Sequence, residues 1–267
     1  MTSLRLLVTD LSGTVIDHGC RAPVRMFQQA FHRVGVSVST AEVRKPMGQA
    51  KLDHIRQLFA LPNVQLRWRE LHQRLPTEKD AEQVYQSLAL DQEALLLEHQ
   101  EVIKGVVPTI RAVRQLGLRV SGCSGYNRSM VNVLRAPMER QGLRFDHLVA
   151  SDEVAHGRPA PDMIQHLMKK GGVSDPSLVI KVGDTSVDIE EGLNAKVWSV
   201  GVLRSSSELG LSAEDFDALT PLQQAEALHE TRRRLVAHNP HYLVNSIEEL
   251  PSLINEINER LACGERP

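Results

Sequence analysis

Short apolar runs and long amphipathic stretches alternate along most of this chain. Leu4–Thr9 is a short apolar run that breaks into a polar, glycine-containing turn, the pattern of a buried strand. The same pattern recurs in LRVSGCSG (118–125), HLVAS (147–151), SLVIKVGD (177–184), WSVGVL (198–203) and HYLVNS (241–246). Helical spacing marks Ala22–Val34, ended by Gly35, and a second helix from near Ala50 to Ala60. From Val64 to about Gln100 the periodicity stays helical, with no convincing strand. Further helices are predicted over Val107–Leu116, Ser129–Gln141, Pro161–Lys170, Val187–Ala195, Leu222–His238 and Ile247–Leu261.

Strands alternating with helices predict a parallel sheet covered on both faces, a Rossmann-like doubly wound α/β fold. The helical stretch after the first strand breaks this alternation. It predicts an inserted all-helical cap over residues 19–100, with the α/β core built from 1–18 and 101–267.

Composition changes this picture little. A net charge of −2 gives no basic field for nucleic acid. The run Arg232-Arg233-Arg234 falls on a helical pattern and reads as a solvated face. Cys20, Cys123 and Cys263 are far apart without CxxC spacing, which argues against zinc and disulfide frameworks and suits a reducing cytoplasm. The first residues lack the pattern of a signal peptide, and no apolar stretch approaches the roughly 20 residues that span a bilayer.

Candidate chemistry gathers at the strand ends, where open α/β sheets bind ligands. The first strand runs into Asp10-Leu11-Ser12-Gly13-Thr14, the second into Cys123-Ser124-Gly125. HLVAS leads to Gly157-Arg158-Pro159, and SLVIKV to Gly183-Asp184-Thr185-Ser186-Val187-Asp188. With a phosphoryl substrate each has work to do. Asp10 can attack phosphorus and share a hard cation with Asp184, while Asp188 completes or orients that shell. Ser124 can donate to phosphoryl oxygens, and Arg158 offsets the negative charge. Singly, each is more often a helix cap, a turn residue or a surface charge. Their joint order at four strand ends is what carries the reading.

DLSGT, S-G, GRPAPD and GDTSVD in that order resemble the haloacid dehalogenase superfamily of aspartate-nucleophile hydrolases. HGCRAP, RKPMGQAKLDHIR, LPTEKD, SGYNR, GRPAPDM, KVGDTSVDIEEGLNA and SSELGL resemble its phosphonoacetaldehyde hydrolase family almost end to end. That resemblance implies a nucleophile at Asp10 and Mg²⁺ held by Asp10, Asp184 and the Ser12 carbonyl, with Asp188 close behind. It implies phosphoryl contacts from Ser124 and Arg158 and a Schiff base between Lys51 and the substrate aldehyde. It also puts Met47, His54, Cys20 and Tyr126 around that lysine, and it implies a homodimer. Leu11 stands where the family usually has an aromatic residue, Ser12 where it has alanine, and Cys123-Ser124 where it has two threonines.

The residues make chemical sense of the resemblance. Most ester-cleaving relatives carry an acid two residues after the nucleophile to protonate the leaving alkoxide, and Ser12 is a poor acid. Cleaving a C–P bond expels a carbanion instead, and a protonated imine is an electron sink for it. Lys51 must be neutral to form one; His54, three residues on, shares its helix face and is a candidate proton relay. Two rival functions stay open: a phosphate-ester phosphatase of the same superfamily, and a non-catalytic binding or regulatory protein on the same fold.

Overall fold

The computed structural model describes residues 3–90 and 92–267. Strand β1 (Leu6–Thr9) is followed by helices α1 (Arg21–Arg33), α2 (Thr40–Arg44), α3 (Lys51–Ala60), α4 (Pro62–His72), α5 (Glu78–Leu88), α6 (Gln92–Glu98) and α7 (Val106–Gln115). Then come β2 (Arg119–Ser124), α8 (Arg128–Arg140), β3 (Leu148–Ala150), α9 (Asp162–Gly171), β4 (Val179–Gly183) and α10 (Ser186–Asn194). The chain ends with β5 (Trp198–Val202), α11 (Ala213–Asp217), α12 (Pro221–Val236), β6 (Tyr242–Val244) and α13 (Leu250–Ala262).

All six strands are parallel, in the order β3-β2-β1-β4-β5-β6. The pleat sends successive side chains of β1 to opposite faces. Leu6 and Val8 pack with Met163, Ile164 and Leu167 of α9. Leu7 joins the cluster that holds Val113 of α7 and Leu253 and Ile254 of α13. Both faces are therefore apolar, which is why the strands read as continuous hydrophobic runs. Each predicted strand and each long predicted helix is present within a few residues, and the expected α/β fold with helices inserted after the first strand is the observed one.

Two helices escaped the periodicity. α2 and α11 have five residues each, too few for a repeating face. Their signal lies in the caps. Ser39 accepts from the Glu42 amide while Glu42 returns to the Ser39 amide, and Ser212 accepts from the Asp215 amide. At the other end, Ile247–Glu249 forms a 3₁₀ turn, so the last α-helix starts at Leu250.

The inserted helices pack mainly on one another: α1 against α2, α5 and α6, and α3 against α4 and α5. They meet the sheet layer through α6 on α8. One apolar cluster runs from Leu7 and Val120 through Val15, Tyr126 and Met47 to Phe27 and Trp68.

Candidate active site

Register decides where the polar turns meet. Thr9 of β1 is level with Gly122 of β2 and Val182 of β4, and the Asp10 amide donates to the Val182 carbonyl at 2.9 Å. From β1 the chain winds outward through β2 and β3, then returns to β4 on the other side of β1. Asp10 and Asp184 thus flank the crevice where strand order reverses.

Carboxylate oxygens of Asp10, Asp184 and Asp188 all lie within 4.8 Å of one another, and all three residues are buried. Thr14 Oγ1 donates to Asp184 Oδ1 at 2.9 Å, and the Ser207 amide donates to Oδ2 at 2.8 Å. Asp188 sits in the first turn of α10 and accepts the Thr185 amide and hydroxyl at 3.2 and 2.6 Å, closing a capping box. Gly13 has φ +87°, and a Cβ there would stand 2.3 Å from Asp184 Oδ2; only glycine lets this turn wrap the carboxylate.

Arg158 enters from the loop before α9. Its Nη1 donates to Asp10 Oδ1 at 2.6 Å and ion-pairs with Asp188 Oδ1 at 2.9 Å. Nε donates to Glu191 at 2.9 Å, and Nη2 donates to the Cys123 carbonyl at 2.9 Å. Burial pushes Asp10 up to about 6, against the pull of Arg158. Burial and the neighbouring Asp10 and Asp188 push Asp184 well above the usual carboxylate range. Burial would raise Asp188 too, but Arg158 and Lys181 overrule it and hold that carboxyl down at about 2.

Charge counting shows what this cluster can hold. Fully ionised, Asp10, Asp184, Asp188 and Glu191 would carry four negative charges against two positive ones on Arg158 and Lys181, all of them buried. The residual pair of negative charges is shielded from water, and the crowded carboxylates destabilise one another. Hard oxygen donors with no thiolate or imidazole suit a hard divalent cation.

Beside the carboxylates is a small chamber lined by Asp10, Ser12, Cys20, Met47, Lys51, Ser124, Tyr126 and Arg158, with Pro23, Gly48, Gly125 and Thr185. Eight sequence candidates therefore share one wall. Lys51, the first residue of α3, is 5% exposed, with Nζ 4.7 Å from the Tyr126 ring centroid and 5.4 Å from that of Phe27. Burial lowers its pKa to about 8. Burial likewise keeps the Cys20 thiol protonated. Tyr126 Oη and Ser12 Oγ are hydrogen-bonded at 2.8 Å. Ser124 Oγ accepts from the Tyr126 amide at 3.2 Å. Backbone contact brings α3 this close: a Cβ on Gly125 would meet the carbonyl oxygens of Gln49 and Gly48 at 2.6 and 2.7 Å.

His54 does not line this chamber. It is fully buried behind Lys51, its ring stacked on Phe27 at 3.9 Å. Nε2 lies 2.9 Å from the Val43 carbonyl, so it must donate. Burial and the neighbouring Lys51 push its pKa well below the ordinary histidine value, leaving a neutral ring with Nδ1 unprotonated.

The model of the haloacid dehalogenase-like hydrolases matches residues 4–196. A curated phosphonoacetaldehyde hydrolase of Bacteroides fragilis is 38% identical over 98% of this chain and 99% of its own length. Another, of Syntrophobacter fumaroxidans, is 39% identical over 99% of this chain and 95% of its own. The chain belongs to the phosphonoacetaldehyde hydrolase family of haloacid dehalogenase-like hydrolases. A crystal structure of a phosphonoacetaldehyde hydrolase-like protein from Oleispira antarctica matches its fold with a TM-score of 0.97 at 33% identity, covering 100% of this chain and 96% of that one.

Two residues of this hydrolase's site had no place in the strand-end reading, Lys181 and Glu191. Both are fully buried: Glu191 pairs with Arg158, Lys181 with Asp188, and the two with each other. A signal existed: Lys181 interrupts the otherwise apolar strand VIKVG, and a lysine buried on both faces of a sheet must have partners.

Proposed function

We propose that this chain hydrolyses the carbon–phosphorus bond of phosphonoacetaldehyde to acetaldehyde and phosphate. The observation that carries the reading is Lys51: an amine with a lowered pKa, buried in the same chamber as Asp10. Its nitrogen attacks the aldehyde carbon and water leaves, giving a protonated imine. An Asp10 carboxylate oxygen attacks phosphorus, and the C–P electrons pass into the iminium to leave an enamine. The enamine is protonated at carbon, and water releases acetaldehyde from Lys51. A second water cleaves the aspartyl-phosphate. Arg158 and Ser124 steady the phosphoryl oxygens. The cation, which we assign as Mg²⁺, would be held by Asp10, Asp184, Asp188 and the Ser12 carbonyl, and would supply positive charge to offset that of the reacting oxygens.

We also assign residues 19–100 as a cap that closes over the core. The two connecting segments run side by side, with the Asp17 amide donating to the Glu101 carbonyl at 3.1 Å, which suits a hinge. Met47, Cys20 and Tyr126 shape the aldehyde end, and His54 supports Lys51 from behind. Exposed Leu66, Leu71 and Leu75 on the cap suit a homodimer. No helix among the described residues is long and apolar enough to cross a membrane. Three free cysteines suit the cytoplasm.

The deciding assay is phosphate release from phosphonoacetaldehyde against a panel of phosphate esters. Faster turnover of esters, indifferent to loss of Lys51, would reject the reading in favour of a phosphatase.

Two further results are expected. Borohydride reduction with substrate traps an adduct on Lys51, and the trapping rate rises with pH to a plateau above about 8, where the amine is neutral. A rise continuing to about 10.4, the ordinary lysine value, would contradict the burial effect. Second, Gly125→Ala forces a methyl against two backbone carbonyls and backs α3 away from the core. Turnover should fall about 100-fold with the circular dichroism spectrum unchanged. Wild-type turnover would show that α3 need not close this tightly.

A further inference from the structure

Two buried charges stand behind the chamber and have no step in the mechanism above. Lys181 lies in the middle of β4, and Glu191 lies on α10, three residues after Asp188. Neither lines the chamber. Arg158 Nε donates to Glu191 Oε2 at 2.9 Å, and Lys181 Nζ lies 3.1 Å from that same oxygen. Lys181 Nζ is also 2.8 Å from Asp188 Oδ1, which Arg158 Nη1 approaches to 2.9 Å. The four groups close a ring, and from it Arg158 reaches on to Asp10 at 2.6 Å.

A guanidinium is a flat, rigid fork. Glu191 grips its Nε edge and the Cys123 carbonyl grips Nη2 at 2.9 Å. Those two contacts set the plane and aim Nη1 at Asp10. Lys181 shares the load on the other side. Without it, Asp188 and Glu191 would have only Arg158 as a cation, and would draw the guanidinium back from Asp10.

We propose that Glu191 and Lys181 are positioning residues for phosphoryl transfer, Glu191 orienting Arg158 toward Asp10 and Lys181 balancing the two carboxylates that compete for it. The inference rests on the proposed function for its substrate, but its geometry concerns Asp10 and Arg158 whatever group leaves. Burial alone would give these residues only a structural role, and a buried charge pair of that kind can be dispensable.

The test compares Glu191→Gln, Lys181→Met and the double variant in phosphate release and in borohydride trapping on Lys51. Each single variant should lower kcat about 10- to 100-fold. KM should stay within about threefold, and trapping should match wild type, because imine formation joins Lys51 to the aldehyde and does not need Arg158 aimed at Asp10. The double variant removes one charge of each sign and should recover part of the Lys181→Met loss. A folded single variant with wild-type kcat, or a loss of trapping in step with kcat, would overturn the proposal. Should Lys181→Met fail to fold, Glu191→Gln, which keeps volume but removes the charge that holds Arg158 and Lys181, decides alone. If wild type proves inactive on phosphonoacetaldehyde but cleaves an ester, the function is rejected, and the same kcat losses are expected on that ester.

Discussion

Lys51→Arg should lower turnover of phosphonoacetaldehyde by at least about 10⁴-fold and abolish the borohydride-trapped adduct. Arginine keeps the positive charge and most of the length, so packing over Tyr126 and Phe27 is retained. What it loses is a nitrogen lone pair: a guanidinium does not deprotonate in proteins and forms no imine. The wild-type site is built for the neutral amine. With a pKa of about 8, about one lysine in ten is neutral at pH 7, against about one in 3,000 for an ordinary lysine. Residual turnover above a few per cent of wild type would mean that C–P cleavage does not use the imine. Ester hydrolysis surviving in the same variant would point to the phosphatase reading.

Asp10→Asn should remove phosphate release just as completely, by at least about 10⁴-fold, and yet leave the adduct on Lys51 trappable. The amide is near-isosteric and keeps an oxygen for Arg158, but it is a poor nucleophile toward phosphorus. Imine formation precedes the attack and needs only Lys51 and the aldehyde. The two variants therefore cut the reaction at different points, and together they order it. Phosphate release persisting in Asp10→Asn would remove this residue as the nucleophile and reopen the roles of Asp184 and Asp188. Loss of both phosphate release and trapping would instead show that Asp10 shapes the whole chamber.

Much of this architecture is written locally. An apolar run flanked by glycine-rich polar turns makes a strand wherever it sits, so the six strands were legible without their partners. Asp10, Ser124 and Asp184 were legible for the same reason, since each directly ends or follows a strand. The short helices α2 and α11 were overlooked because five residues carry no period, though their serine caps were in plain view.

By itself, then, the sequence determined the parallel α/β fold, the helices inserted after β1 and the strand ends that carry the chemistry. Resemblance to a known family, rather than the residue pattern alone, pointed to Lys51, which with Ser12 forms the pair proposed to separate C–P cleavage from ester hydrolysis. Only the tertiary structure decided how these groups meet. Register brings Asp10 level with Cys123 and Gly183; the touch of Gly125 on Gln49 seats Lys51 over Tyr126. The Ser12–Tyr126 hydrogen bond, the seclusion of His54 and the Arg158–Glu191–Lys181–Asp188 ring all join residues from separate elements. Burial and long-range charge then decide protonation, making an ordinary helix lysine an amine available to react near neutral pH. Those forces depend on what surrounds a residue in space, and linear order does not carry that information.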